Sequence, residues 1–158
     1  MNGILLVWVG RRAPEPYETL CRDYARRLTH YVPLSELRVV PAEGRAADRR
    51  RALTKEAAAI RRHLAPGDTV VPLDESGRER TTEELAQFLR EQTRLRRVAF
   101  VIGSDLGLDA EIKDAADDLL ALSRLTLPHH LARLVLLEQL YRACDLLAGG
   151  QYHRGRSG

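Results

Sequence analysis

The residues of this chain best suited to chemistry stand together near its end: Tyr152, His153 and Arg154. A tyrosine ring can stack on a nucleobase, an arginine fork can hold a phosphate, and histidine titrates near neutrality. On a frayed terminus such a triplet means nothing. Here it follows Gly149-Gly150 and a long apolar segment from Leu131 to Leu147. At helical spacing Glu138, Arg142 and Asp145 fall on one narrow stripe of that segment, with Arg133 roughly opposite. Glu138 precedes Arg142 by one helical turn, the favourable order for an intrahelical ion pair. Nearly every other position is apolar, so the helix must be buried on several sides, in its own domain or against a second subunit.

Three further stretches carry unusual residues: Leu73-Asp74, Gly103-Ser104-Asp105-Leu106-Gly107, and Leu122-Ser123-Arg124-Leu125-Thr126-Leu127. Each closes a strand pattern, and open α/β sheets bind ligands beyond the carboxyl ends of their strands. The glycine loop is GxxxG rather than GxGxxG, and no GxxxxGK[ST] occurs, which argues against a dinucleotide fold and a P-loop enzyme. Taken alone, the leucines fit strand-end core positions and the glycines fit a turn.

The elements that must position these groups are legible as alternating patterns. Ile4–Gly10 is a near-continuous apolar run, the mark of a strand covered on both faces. A helix is predicted from about Tyr17 to Tyr31, and an edge strand over Leu34–Pro41. A charged turn, EGRAADRRR, leads to a helix from about Asp48 to Leu64. The Pro66-Gly67-Asp68 turn and the short strand TVVPLD come next. Thr81 or Thr82 is placed to cap the next helix, with Glu84 completing a capping box. Val98–Ile102 is a buried strand, Leu108–Ala116 a short helix and Leu119–Leu125 the last strand. Strands alternating with helices predict one α/β domain over residues 1–158 with a mainly parallel sheet.

Composition sets the class. Hydrophobic residues are 44% and charged residues 30% of 158, the balance of a soluble globular protein. No apolar run is long enough to span a membrane. The apolar start has no basic region before it and is followed by Arg11 and Arg12, so it reads as a strand and not a signal peptide. Cys21 and Cys144 lie far apart in helical patterns, as reduced core residues of a cytoplasmic protein do. Net charge is only +3, but all cations except Lys55 and Lys113 are arginines, which suit phosphate recognition.

The segment TLPHHLARLVLLEQLYRA followed by YHR closely resembles the C-terminal signature of the bacterial ribosomal large-subunit pseudouridine N3-methyltransferases. These are SPOUT-class enzymes, knotted and dependent on S-adenosylmethionine. The resemblance implies an α/β fold with a C-terminal trefoil knot, a homodimer, and transfer of methyl to N3 of a pseudouridine in 23S rRNA on the ribosome. It places the cofactor against Leu73, Gly103 and the loop Leu122, Ser123, Arg124, Leu125, Thr126 and Leu127. An adenine ring needs apolar walls and backbone polar groups, and glycine permits close approach.

RNA contact is expected at His129, Tyr152 and Arg154, although His129 fits a role stabilising its turn equally well, and Arg124 fits RNA as well as cofactor. Methylation at N3 requires loss of its proton. Arg142 is the expected stabiliser of the resulting anion, unless its pairing with Glu138 is structural, and a neutral His153 is the expected base. No metal is implied. The chain departs from the family pattern in its glycine loop: Ser104 replaces a second glycine, and the acid comes one place early as Asp105. Thr81-Thr82-Glu83 likewise replaces a more usual Ser-Ser-Glu. The alternative is a noncatalytic RNA-binding or ribosome-assembly protein on the same fold.

Overall fold

Every residue of β1 (Ile4–Val9) is buried, because this strand lies inside a parallel sheet with helices on both faces. The structure is a computed structural model that describes residues 2–42 and 48–154. Its five strands run in the order β2-β1-β4-β3-β5, with β2 at Leu34–Val39, β3 at Thr69–Glu79, β4 at Val98–Ile102 and β5 at Leu120–Ala121. All pairings are parallel; Ile4 sits opposite Leu34 on one side and Val98 on the other.

The helices are α1 (Glu15–Leu28), α2 (Arg49–Arg61), α3 (Thr82–Leu95), α4 (Ala110–Asp114) and α5 (His129–Leu147). Alternation divides the core into two layers. Ile4, Leu6, Trp8 and Phe100 pack against α1, α3 and α5. Leu5, Val7, Val9 and Val101 pack against α2 and α4. The edge strand β2 buries only Val39 completely, in keeping with its alternating sequence.

Local signals set several ends. Pro14 and Pro16 start α1, ahead of the expected Tyr17. Thr81 caps α3 with a full capping box: its Oγ1 accepts from Glu84 N–H at 3.1 Å, and its own N–H donates to the Glu84 carboxylate at 2.9 Å. The expected charged turn falls largely at 43–47, outside the described residues. Among the described residues no helix is long and apolar enough to cross a membrane. Both cysteines are free and buried, and burial pushes the Cys144 thiol up to about 11.

Two strands differ from expectation. β3 runs on through the polar Glu75–Glu79, and β5 stops after Ala121 instead of reaching Leu125. The cause is non-local pairing: β5 meets β3 at Leu73 and again, past an irregularity, at Arg78 and Glu79. Gly77 makes this possible, since a Cβ there would stand 2.6 Å from the Leu119 carbonyl oxygen. The Arg78 N–H then donates to that same oxygen at 2.7 Å. Beyond Ala121 the Ser123 Oγ accepts the Leu125 N–H at 3.0 Å, a local turn that competes with strand pairing.

Candidate active site

A parallel sheet puts the carboxyl ends of its strands on one edge, and there three loops bound a cavity of about 840 Å³. Leu73 lies in β3 just past its pairing with β4, Gly103–Gly107 follows β4, and Leu122–Leu127 follows β5. Of the residues expected at a cofactor, Leu73, Gly103, Leu122, Ser123, Leu125, Thr126 and Leu127 line this cavity. Arg124 does not; its side chain is 86% exposed, with Nε 3.9 Å from Glu79. Leu125 is 75% exposed, a large apolar side chain left in water at the cavity wall. Asp74, Glu75 and Asp105 supply negative charge, Arg49 and Lys113 positive. Burial alone would raise the Asp74 carboxyl, but Ser76 and the Lys113 ammonium hold it below the usual carboxylate range.

The glycine loop is tied to two helices. Gly103 has no room for a side chain, because a Cβ would stand 2.4 Å from the Gly107 carbonyl oxygen. Gly107 itself adopts φ +88°, where glycine is favoured. The expectation had Gly103 open for a ligand, whereas its first constraint is the packing of its own loop. Ser104 Oγ donates to Glu56 Oε1 at 2.8 Å, and Glu56 Oε2 accepts the Ala42 N–H at 3.0 Å. Arg49 Nη2 donates to the Leu106 carbonyl at 2.9 Å. Asp105 Oδ1 lies 2.7 Å from His129 Nδ1 on α5. The two positions at which the loop departs from the family pattern therefore each bond to a helix: Ser104 to α2, Asp105 to α5.

Sequence reasoning missed Glu56, which is 4% exposed. A signal was available: Ala52, Glu56 and Ile60 recur at four-residue steps, and all three are buried on that stripe.

His129 stands where α5 meets the cavity. With Asp105 accepting, Nδ1 carries the proton and Nε2 is a buried atom without a partner. It packs on Gly10, where a Cβ would lie 2.8 Å from Nε2. His130 stacks on Tyr17 at 5.8 Å and meets the edge of Trp8 at 5.9 Å. Burial, then the neighbouring His129 and Arg133, push its pKa below the usual histidine value.

The tail forms a second cluster. Arg142 donates through Nε and Nη2 to Glu138 Oε1 at 2.9 and 2.5 Å. Its guanidinium lies 4.5 Å from the Tyr152 ring centre, and the Tyr141 ring is 4.7 Å from that same ring. Tyr152 donates its N–H to Asp145 Oδ2 at 3.0 Å and its hydroxyl to Glu138 at 3.1 Å. Tyr31 donates to the other Asp145 oxygen at 2.7 Å, and that bond, with burial, pushes the Tyr31 hydroxyl up to about 12. His153 Nε2 meets Glu83 at 2.9 Å, leaving Nδ1 buried and, among the described residues, without a partner, while Arg154 is exposed. The tail is fastened to the helix, since Tyr152 satisfies both Asp145 and Glu138 on α5.

One chain does not bring the two clusters together. His129 begins the 19-residue α5, and Glu138, to which Arg142 and Tyr152 both bond, lies nine residues on, about 14 Å along the axis at a rise of roughly 1.5 Å per residue. None of Arg142, Tyr152, His153 and Arg154 lines the cavity of its own chain.

Comparison with known proteins agrees with this architecture. A family model described as "Predicted SPOUT methyltransferase" matches residues 2–153. The chain is 43% identical over 152 residues to a protein named "Ribosomal RNA large subunit methyltransferase H" from Gloeobacter violaceus, covering 96% of this chain and 99% of that one. A probable methylase family protein from Haemophilus influenzae Rd KW20 superimposes with a TM-score of 0.56 at 15% identity, over 96% of this chain and 70% of that one. The SpoU methyltransferase AviRb from Streptomyces viridochromogenes, solved in complex with the cofactor AdoMet, gives 0.50 at 15% identity, over 94% and 62%. The last two show shared fold alone. With a family model spanning nearly its whole length and a full-length relative well above 30% identity, this chain belongs to the SPOUT methyltransferase family.

Proposed function

We propose that this protein transfers methyl from S-adenosylmethionine to N3 of a pseudouridine in large-subunit ribosomal RNA, as a cytoplasmic homodimer with the trefoil knot of its class. The observation that carries the reading is the cavity bounded by the three loops in which the resemblance places the cofactor. Its volume of about 840 Å³ lies within the range of ligand sites. Leu73, Leu122, Leu125 and Leu127 offer an adenine ring apolar walls, and Asp74, Glu75 and Asp105 suit a ligand with cationic groups. Bound there, S-adenosylmethionine supplies an electrophilic methyl group.

The remaining chemistry belongs to the chain. N3 must lose its proton, and a base with a free lone pair must reach it. With Glu83 accepting at Nε2, the lone pair of His153 lies at Nδ1, which is buried within one chain, so the tail must shift on binding RNA to present it. Arg142 is the candidate for the developing anion, and Glu138 aligns it. Tyr152 holds that arginine by ring contact and anchors the tail, while Arg154 is free for phosphate. His129, bonded to Asp105, orders the entrance to the cavity.

Because none of these tail-cluster groups lines the cavity of its own chain, the reading requires a second copy whose tail closes the first copy's cavity. The partly buried Leu134, Leu146 and Leu147 of α5, with the exposed Leu20 of α1, offer an apolar face for that pairing.

The test is methyl transfer from labelled S-adenosylmethionine to free rRNA, large subunits and whole ribosomes, with the product nucleoside identified by mass spectrometry. Label on N3 of a pseudouridine is expected. Tight cofactor binding without transfer to any of the three would favour the noncatalytic assembly role instead.

A further inference from the structure

The sheet edge that carries the cofactor cavity also carries the start of α2, which follows β2 across the other face of the sheet. A second cavity, of about 660 Å³, lies between α2 and α4, with Leu53 and Leu108 among its apolar lining. It shares Arg49, Leu108 and Lys113 with the cofactor cavity, so the two adjoin. Next to it α2 presents Arg50, Arg51 and Lys55 to solvent. Among the described residues none of these three has an acidic partner within ion-pair distance. Acids are present, but they are engaged or outnumbered. Glu111 is paired with Arg61 at 3.1 Å, Asp109 caps α4, and Asp48 stands alone among the cations at the helix start.

The placement of these arginines does not serve the helix. Arg49, Arg50 and Arg51 occupy the first turn of α2, which holds no acid, and cations there oppose the helix dipole. An external polyanion would offset their mutual repulsion, and planar guanidinium groups suit phosphate oxygens.

We propose that the α2 face formed by Arg50, Arg51 and Lys55, with the α2–α4 groove beside it, is a track for the sugar–phosphate backbone of the ribosomal RNA flanking the target nucleotide. This rests on the rRNA methyltransferase reading and assigns the surface through which it holds its substrate. Arg49 marks the join: it lines both cavities and is hydrogen-bonded to the glycine loop at Leu106. The face lies on the sheet side opposite α1 and α5, so pairing through α5 leaves it open.

The experiment compares the parent with the triple variant Arg50→Glu, Arg51→Glu, Lys55→Glu, and with the three Gln changes, in binding and methylation of large subunits across a salt series. S-adenosylmethionine affinity by calorimetry should match the parent in both, which shows that fold and cofactor cavity are intact. Ribosome Kd and KM should rise roughly ten-fold or more with little change in kcat. The slope of log K against log salt should fall by about 2, as the loss of three phosphate contacts requires. An unchanged KM and salt slope in an active protein would overturn the surface while leaving the methyltransferase reading intact. Weaker binding with an unchanged salt slope would also overturn it, since the lost contact would then be to a ribosomal protein. A parent that methylates no ribosomal substrate overturns the underlying reading, and this surface with it.

Discussion

Replacing Ser104 by alanine tests whether the glycine loop is held by the bond to Glu56. The substitution keeps the backbone and the Cβ and removes only the hydroxyl. Glu56 Oε1 then loses its donor at 2.8 Å, in a side chain 4% exposed to water, while Oε2 keeps the Ala42 N–H at 3.0 Å. A hydrogen bond to a charged group contributes roughly 1.5–3 kcal/mol. Stranding the acceptor in a buried place puts the loss toward the upper end of that range. For a chain of this length each kcal/mol moves Tm by about 2–4 °C, so a fall of roughly 4–12 °C is expected by circular dichroism.

The same change loosens the loop that lines the cofactor cavity, and S-adenosylmethionine affinity should weaken several-fold in calorimetry. A double-mutant cycle with Glu56→Gln isolates the pair, because a neutral amide is less costly to strand than a carboxylate. Ser104→Ala should therefore cost about 1 kcal/mol less in that background. Equal costs in the two backgrounds, or a Tm within a degree or so of the parent, would refute the account of the loop.

Three other outcomes follow from the same contacts. Gly103→Ala forces a Cβ to within 2.4 Å of the Gly107 carbonyl oxygen, so the loop must shift; cofactor affinity should fall by roughly ten-fold or more, and an unchanged Kd would remove Gly103 from the site. Burial acts to raise the Asp68 carboxyl, but bonds from Arg97 at 2.9 and 2.7 Å and from the Ala65 N–H hold it below the usual range. The folded pKa being depressed, this stability is complete above the unfolded carboxylate value near 4 and is lost as pH falls through the folded one. Asp68→Asn should thus cost roughly 2 kcal/mol at pH 7, discounted for the part-exposed Arg97, and progressively less as pH falls below about 4. Finally, His153→Ala should slow methyl transfer most at neutral pH and least at alkaline pH, where N3 ionises unaided; a uniform ratio across pH would acquit His153 as the base.

How far the sequence could be read depended on how local each determinant was. The buried β1, the edge strand β2, the Thr81–Glu84 capping box and the Glu138–Arg142 pair all follow from neighbours within one turn or one strand, and all appear as expected. The extent of β3 and β5 could not be read that way. Glu75–Glu79 is polar and looks like a loop until Leu119–Ala121 arrives to pair with it, and the apolar Leu122–Leu127 looks like a strand until it has no partner. Apolar residues held out for a ligand and apolar residues held in for a core spell the same letters. Glu56 shows the converse: a single acid on a helical stripe reads as solvent-facing unless its neighbours at four-residue steps are counted.

The separation along α5 links these observations to function. A helix apolar on most sides offers either a buried core helix or a subunit contact, and the structure shows the first and leaves apolar side chains for the second. Leu136, Leu137 and Leu140 are fully buried in the chain's own core, while Leu134, Leu146 and Leu147 remain only partly covered. The cavity lies at the first turn of α5, whereas the tail folds back on its second half, with Tyr152 fastened to Glu138 and Asp145. A tail so fastened cannot swing back along its own helix without giving up both carboxylates. If His153 and Arg142 act on the nucleotide at the cavity, a second chain must present them there. Sedimentation should then show a dimer at micromolar concentration. Mixing a cavity-defective Gly103→Ala chain with a tail-defective His153→Ala chain should restore part of the activity that each lacks alone, through the heterodimer with one intact cavity facing one intact tail. Absence of any restoration, with heterodimers demonstrably formed, would put the tail's role back within its own chain or outside the reaction.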